Sequence, residues 1–293
     1  MSKRRRVLPG FPFAMGYSMF YLSIIVLLPL AALILKSAQL SWDDFWKTAN
    51  SDVVRASYRL TFQASAAAAL INGLFGLIIA WVLVRCPFPG CRLFDAVVDF
   101  PFALPTAVAG LTFGSLYAGM PWIEQILIGD WVTAAWNSTA GRIDALTLGP
   151  RTLSGLNELR VVLMLTFVSL PFVIRTVQPV LQEWEIETEQ AAHSLGASNW
   201  LTFRRVIMPE LMPAWLSGMA LAFARSVGEY GSVIFVTGNI PGKSQIAPVQ
   251  IMQQLEEYRY AQATAIGVVL LGVALLVLLL VNVLQWWANR QAR

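Results

Sequence analysis

The chain has 293 residues, of which 57% are hydrophobic and only 13% are charged, and its formal net charge is +4. Soluble domains average about 25% charged residues, so this composition excludes an ordinary soluble protein and indicates one embedded in a membrane. The chain contains one histidine and two cysteines, Cys86 and Cys91, which are too few to assemble a metal cluster.

The first predicted element is a transmembrane helix at about residues 13–35. Residues 7–35 carry no charged side chain, and this run exceeds the roughly 20 residues that a helix needs to cross a bilayer. A cleaved signal peptide is the alternative, but its apolar core would be only about 7–15 residues long, and no A-x-A cleavage pattern follows here. The basic cluster Lys3–Arg6 precedes the helix, so the positive-inside rule places the N-terminus in the cytoplasm.

Further apolar segments predict five more spans. Three of them are charge-free runs of spanning length, at residues 60–84, 100–123 and 260–289. Charges interrupt the other two, which lie at about residues 157–180 and 213–236. We therefore predict an all-α polytopic membrane protein with a single transmembrane domain, residues 1–293, and both termini in the cytoplasm. The six spans are expected at about residues 13–35, 60–84, 98–119, 157–180, 213–236 and 263–287.

The third span contains the sequence PFALPT, in which Pro101 and Pro105 interrupt the helical hydrogen bonding. Thr106 could then start a new helical segment, whose free backbone amides would favour an anion on a translocation path. The alternative is a kink that only packs this span against its neighbours. The sequence leaves both interpretations open.

A polar stretch separates the fourth and fifth spans, and residues 190–215 read QAAHSLGASNWLTFRRVIMPELMPAW. Gly196 can supply the left-handed residue that ends a helix, and a second short helix is expected to start near Trp200 and to end before Pro209. These helices, at about residues 187–209, are too polar to cross the membrane and lie on its cytoplasmic side. They either dock onto another protein or lie in the lipid interface, which the aromatic and basic side chains of the second helix would suit.

The fifth span carries Arg225 and Glu229, four residues apart and therefore on one face of a helix. Each ionised side chain costs about 2.5–3.5 kcal/mol inside a bilayer on insertion scales, so both must face protein or water. Arginine before glutamate is the less favourable order for a pair on one helix, so we expect at least one of them to have another partner. They either join this span to a neighbour or line a path on which Arg225 meets an anion transiently.

Catalytic chemistry has little support in the sequence. Residues 238–244, GNIPGKS, resemble a phosphate-binding loop, but three residues separate the glycines where that loop needs four. The spans also hold no conjunction of a nucleophile with a base. We therefore expect no enzymatic activity, no cofactor, no metal site and no nucleic-acid partner. An ion-coupled secondary transporter with Arg225 and Glu229 as its relay remains an alternative, although no inverted repeat is apparent.

The polar stretch resembles the EAA signature of importer-type ABC transporter permeases. The matching residues are Gln190, Ala191, Ala192, Gly196, Val206, Met208 and Pro209. Gln190 stands where the family usually has glutamate, and Val206 and Met208 replace isoleucine and leucine. Glu189 precedes the motif by one residue, which is a rotation of about 100° on a helix, so it cannot take the place of that glutamate.

Other stretches narrow the resemblance to the sulfate/thiosulfate permeases of the T subunit type. These stretches are FPFALPTAVAGL at 100–111, RTVQPVLQEW at 175–184, ARSVGEYGSVIFVTGNI at 224–240 and EEYRYAQATAI at 256–266. The likeness covers most of the chain and is weakest at residues 120–158. The molybdate permeases are similar and provide the nearest alternative.

The resemblance implies a type I ABC importer permease fold and a subunit that moves sulfate or thiosulfate inward across a bacterial inner membrane. Molybdate, tungstate or another oxyanion is the alternative cargo. A soluble periplasmic or extracellular sulfate-binding protein would deliver the anion, a second homologous permease would pair with this chain, and two cytosolic ATPase subunits would supply the energy. Residues 187–209 would be the coupling helices, which sit in a groove of the ATPase and transmit its closure to the spans.

Overall fold

The computed structural model describes residues 11–119 and 156–291, and within those ranges the chain folds into helices with no strand. The first range contains α1 (Phe11–Ser37), α2 (Trp42–Ala49), α3 (Asp52–Arg85), α4 (Cys91–Val98), α5 (Phe100–Ala103) and α6 (Thr106–Gly119). The second contains α7 (Leu156–Gln182), α8 (Ile186–Ser194), α9 (Asn199–Thr202), a π-helical turn (Phe203–Ile207), α10 (Met208–Val227), α11 (Val233–Val236), α12 (Ala247–Glu256) and α13 (Tyr260–Gln291). The predicted all-α fold class is confirmed.

Five helices of the described ranges are long and apolar enough to cross a membrane. They cover Phe13–Ser37, Asp52–Arg85, Asn157–Gln182, Asn199–Val227 and Tyr260–Val283. The predicted third span falls on α5 and α6, and the 14 residues of α6 extend only about 21 Å. Residues 120–155, which belong to the stretch where the likeness is weakest, lie outside the described residues. The count of six spans therefore stays a prediction.

Proline explains why the predicted third span is divided. Pro101 lies in the first turn of α5, where its missing N–H needs no partner. Pro105 follows Leu104, whose backbone is extended at φ −83° and ψ 128°. A residue before proline is pushed out of the helical region, so α5 ends at this point and α6 begins at Thr106. The interruption that the sequence predicted is present.

Helix ends in the second described range differ from the prediction at Pro209 and at residues 228–232. The second coupling helix was predicted to end before Pro209, which is wrong: it continues through the π-helical turn into α10. Pro209 lies in the first turn of α10, a position that proline tolerates, and the π-helical turn directly precedes this helix. The predicted fifth span is also interrupted, because α10 ends at Val227 and α11 begins only at Val233.

Small residues bring α3, α7 and α10 into close contact in the middle of the fold. A side chain at Gly218 of α10 would collide with Thr176 and with the α7 backbone at Val173, and one at Gly76 of α3 would lie 2.9 Å from the Val173 side chain. Buried apolar residues fill the space between these helices: Ala69, Ala80, Val173, Ile174, Val177, Leu211 and Ala222. This core fixes the relative positions of the helices that carry the candidate site.

The N-terminal helix lies at the edge of the fold. α1 packs against α13 and leaves most of its apolar side chains exposed. A helix satisfies its backbone hydrogen bonds internally, so an apolar helix with this exposure is suited to lipid. The exposed apolar surface agrees with the membrane location that the composition indicates.

Candidate functional site

The predicted coupling helices contain a sharp bend between α8 and α9. α8 ends in a Schellman motif, in which Gly196 has φ +84° and donates its N–H to the His193 carbonyl at 2.9 Å. The Ala197 N–H donates to the Ala192 carbonyl at 3.1 Å. These bonds satisfy the last carbonyls of α8 through a left-handed residue, which glycine adopts at little cost. The left-handed cap predicted at Gly196 is confirmed.

A second helical piece follows the bend at once. Ser198 caps α9 by accepting a hydrogen bond from the Leu201 N–H at 3.3 Å, and the Trp200 ring stacks on Phe203 with the centroids 5.8 Å apart. The residues that match the motif are exposed or partly exposed: Gln190, Ala191, Ala192, Gly196, Val206, Met208 and Pro209. The bend therefore presents the motif on a surface that another protein can reach.

Glu189 makes an internal contact instead. Its Oε1 lies 2.6 Å from Nη2 of Arg85, the last residue of α3, and both side chains are only 19% exposed. The Arg85 guanidinium also lies over the Trp81 ring, 5.3 Å from its centroid. Glu189 and Gln190 thus point in different directions, as the helical rotation predicts. Sequence reasoning missed this pair, because no local pattern around Arg85 identifies a partner in the coupling helices.

Arg225 and Glu229 meet at the helix break, residues 228–232, between α10 and α11. Glu229 is 2% exposed and forms an ion pair with Arg225, one turn earlier. Its Oε1 also accepts hydrogen bonds from the Ser232 N–H at 3.0 Å and from Ser232 Oγ at 2.8 Å. The carboxylate thereby caps the start of α11, where free backbone N–H groups need an acceptor. Glu229 has the additional partner that the sequence predicted, whereas 33% of the Arg225 side chain is exposed.

The proline-divided region and the helix break pack against each other. A Cβ at Gly231 would lie 2.6 Å from Thr106 Oγ1, and one at Gly110 would collide with the Ser232 backbone. Both glycines permit this approach because any side chain would push α6 away. Thr106 therefore lies beside the break that contains Glu229. Pro101 lies elsewhere, in the lining of an apolar cavity of about 460 Å³ between α3, α4 and α7.

Arg175 lies in a cluster of polar side chains that sequence reasoning did not identify as a unit. Its Nε and Nη2 donate to the two carboxylate oxygens of Asp99 at 2.8 and 2.7 Å, and its Nη1 donates to Asp95 Oδ1 at 2.9 Å. The Gln178 amide also donates to Asp95 Oδ1 at 2.9 Å. These bonds join α7 to α4 and to the start of α5. They fix the place where the proline-divided region meets the core.

Comparisons with known proteins agree with this architecture. Residues 72–293 match the family described as binding-protein-dependent transport system inner membrane component. The sulfate transport system permease protein CysT of Synechocystis sp. is 46% identical over 275 residues, which are 94% of this chain and 89% of that protein. The protein of the same name from Escherichia coli is 42% identical over 288 residues, which are 96% of this chain and 94% of that protein.

The fold is also similar to that of a solved transporter. The crystal structure of a bacterial ABC transporter involved in the import of the acidic polysaccharide alginate has a TM-score of 0.67 and 14% identity, with 94% of each chain covered. At this identity the likeness supports the fold, and it confirms the predicted type I ABC importer permease fold. The relatives are transport components rather than enzymes, which agrees with the sequence analysis. The chain belongs to the family of binding-protein-dependent transport system inner membrane components, the permease subunits of ABC importers.

Proposed function

We propose that this chain is a permease subunit that moves sulfate inward across the cytoplasmic membrane, with thiosulfate as a second cargo. The observation that carries the proposal is an identity of 42–46% to bacterial relatives named sulfate transport system permeases, over 94–96% of this chain. Thiosulfate has the same charge as sulfate and a similar tetrahedral shape. Selection between oxyanions is assigned mainly to the binding protein that delivers them.

The proposed complex contains a second homologous permease, two cytosolic ATPase subunits and a periplasmic or extracellular sulfate-binding protein. The family description includes dependence on a binding protein, and the related alginate transporter has been solved in complex with a substrate-bound periplasmic protein. ATP hydrolysis is assigned to the partners because the GNIPGKS loop of this chain has the wrong glycine spacing for a phosphate-binding loop.

The coupling helices, residues 187–209, are the proposed contact with an ATPase subunit. Their exposed motif residues would lie in a groove of that subunit, where Gln190 offers an uncharged contact in place of the usual glutamate. The Schellman bend at Gly196 holds the helical pieces at a fixed angle. Closure of the ATPase would then displace a rigid unit that is linked to α7 through residues 183–185 and runs into α10.

Arg225 is the residue that we assign to the translocation path. Its pairing with Glu229 weakens its attraction for a dianion, and conduction requires a site that releases its ion as well as binding it. Two hydrogen bonds from Ser232 hold the Glu229 carboxylate in place. The exposed part of the Arg225 side chain would then be free to contact the anion. Thr106 and Pro105 would shape the same path beside the helix break, whereas Pro101 is assigned to packing at the apolar cavity.

Reconstitution of the complete complex in liposomes tests the proposal. We expect the binding protein loaded with sulfate to stimulate ATP hydrolysis, and labelled sulfate to enter the vesicles only when ATP is supplied. The same assay with thiosulfate, molybdate and tungstate measures the selectivity. Stimulation by molybdate or tungstate without any response to sulfate would assign the alternative cargo. Uptake driven by an ion gradient in the absence of ATP would contradict the importer assignment.

A further inference from the structure

We propose that Arg85 and Glu189 form a positioning pair that transmits movement of the coupling helices to α3, the second membrane span. This inference rests on the proposed function, because it assigns a mechanical role within an ATP-driven importer. Neither residue belongs to the motif that matches the family signature. Neither residue is assigned a contact with the transported anion.

The pair is built at the point where a membrane helix ends. Arg85 is the last residue of α3, and Glu189 lies in the first turn of α8. The distance of 2.6 Å between Nη2 and Oε1 is that of a short, charge-assisted hydrogen bond. The low exposure of both side chains shields the contact from water, which strengthens it relative to a pair on an open surface.

An aromatic contact attaches the π-helical turn to the same part of α3. Trp81 precedes Arg85 by one helical turn and packs edge-on against Phe203, with the ring centroids 5.5 Å apart. Because the Arg85 guanidinium lies over the Trp81 ring, the ion pair and the aromatic contact form one continuous set of packed side chains. The helical pieces on both sides of the Gly196 bend are therefore attached to the end of α3.

This attachment joins the coupling helices to α3, a helix that does not adjoin them in the sequence. The coupling helices follow α7 after the short non-helical link at residues 183–185 and run on into α10, but α3 precedes them in sequence by a long interval. α3 packs along both of those helices in the core, so it must move with them if the core is to stay closely packed. A short hydrogen bond is directional and is lost after a displacement of about 1 Å, so the Arg85–Glu189 pair resists sliding between α3 and α8.

Glu189→Gln in the complete complex, reconstituted in liposomes with its binding protein, tests the proposal. The substitution keeps the size of the side chain and removes its charge. We expect the amount of sulfate transported per ATP hydrolysed to fall by about tenfold or more, the loss that a charged hydrogen bond supports. Glu183→Gln is the matched control, because it removes the same charge from an exposed position just before α8. The control should keep the wild-type ratio.

The double variant Arg85→Gln/Glu189→Gln is a second test of the proposal, which is needed if the complex with Glu189→Gln alone fails to assemble. It removes both charges, so no unpaired charge is left in the half-buried contact. We expect it to assemble and to show the same fall in transport per ATP, because the two residues act as a unit. A wild-type ratio in an assembled variant, failure of both variants to assemble, or an equal fall in the Glu183→Gln control would overturn the proposal. If the proposed function itself is wrong, the result differs from these outcomes. The binding protein loaded with sulfate would then not stimulate ATP hydrolysis even in the wild-type complex.

Discussion

A single residue, Gly196, sets the angle between the coupling helices. Its φ of +84° lies in the left-handed region, and a Cβ at this position would meet nothing within 4 Å. A side chain at this position would therefore strain the backbone without a steric clash. Gly196→Leu should destabilise the bend by about 1–2 kcal/mol. We expect the variant to insert in the membrane but to lose association with the ATPase subunit, measured by co-purification, and to lose sulfate uptake.

Gly90 provides the control for that substitution. It has φ +90°, also has nothing within 4 Å of an added Cβ, and lies before α4 rather than in the coupling helices. Gly90→Leu introduces the same backbone strain and should leave ATPase association unchanged. If Gly196→Leu retained wild-type association and uptake, residues 187–209 would not be the coupling helices.

Arg225→Gln separates a structural role of the intramembrane ion pair from a role in translocation. Glu229 keeps its hydrogen bonds from Ser232, and a glutamine at position 225 can still donate to it. The buried carboxylate thus retains partners, and we expect assembly and stimulated ATP hydrolysis to persist while sulfate uptake is abolished. Arg225→Lys keeps the charge and should retain part of the uptake. Lost assembly in the glutamine variant, or full uptake with assembly intact, would exclude Arg225 from the path.

Helix ends that depend on local backbone chemistry could be predicted from the sequence. The end of α8 follows from Gly196, and the separation of α5 from α6 follows from Pro105, because these residues restrict the backbone around them. Continuation through Pro209 into α10 could not be predicted in this way. The π-helical turn before it is held by tertiary contacts, including the packing of Phe203 against Trp81. The Arg85–Glu189 pair was missed for the same reason, since it depends on how α3 and α8 meet.

The contact between α7 and the proline-divided region depends on Arg175. Arg175→Met keeps much of the apolar stem but removes the bonds to Asp99 and to Asp95. The side chains of Asp95 and Asp99 are 42% and 50% exposed, so water replaces part of what is lost, and we expect a cost of about 1–2 kcal/mol. The thermal midpoint of the purified complex should fall by several degrees. Arg92→Met, at an exposed position on α4, is the control, and an equal midpoint for the two variants would contradict the role of the cluster.

Two contacts of α3, at Thr61 and at Arg85, indicate which parts of the molecule are expected on opposite sides of the membrane. Thr61 Oγ1 accepts a hydrogen bond from the Ala247 N–H at the start of α12, whereas Arg85 binds Glu189 of α8. The helix rises about 36 Å between Thr61 and Arg85, which exceeds the roughly 30 Å of bilayer hydrocarbon. We therefore expect the loop before α12 and the coupling helices to lie on opposite sides of the membrane. The six spans that the sequence predicts give the same arrangement, but that count includes the third span, which the structure divides into α5 and α6.

Cysteine labelling tests the orientation of the whole molecule. Lys243, before α12, and Glu183, before α8, are both exposed, and each can be replaced by cysteine in a chain whose Cys86 and Cys91 are serine. The sequence predicts that α1 crosses the membrane once and that α3 crosses back, so we expect the coupling helices on the cytoplasmic side. We expect a membrane-impermeant maleimide added to right-side-out vesicles to label Lys243→Cys, and to label Glu183→Cys only after permeabilisation. The reverse pattern would place the coupling helices away from cytosolic ATP and would contradict their assignment, whereas labelling of both sites from outside would show that α3 does not separate them.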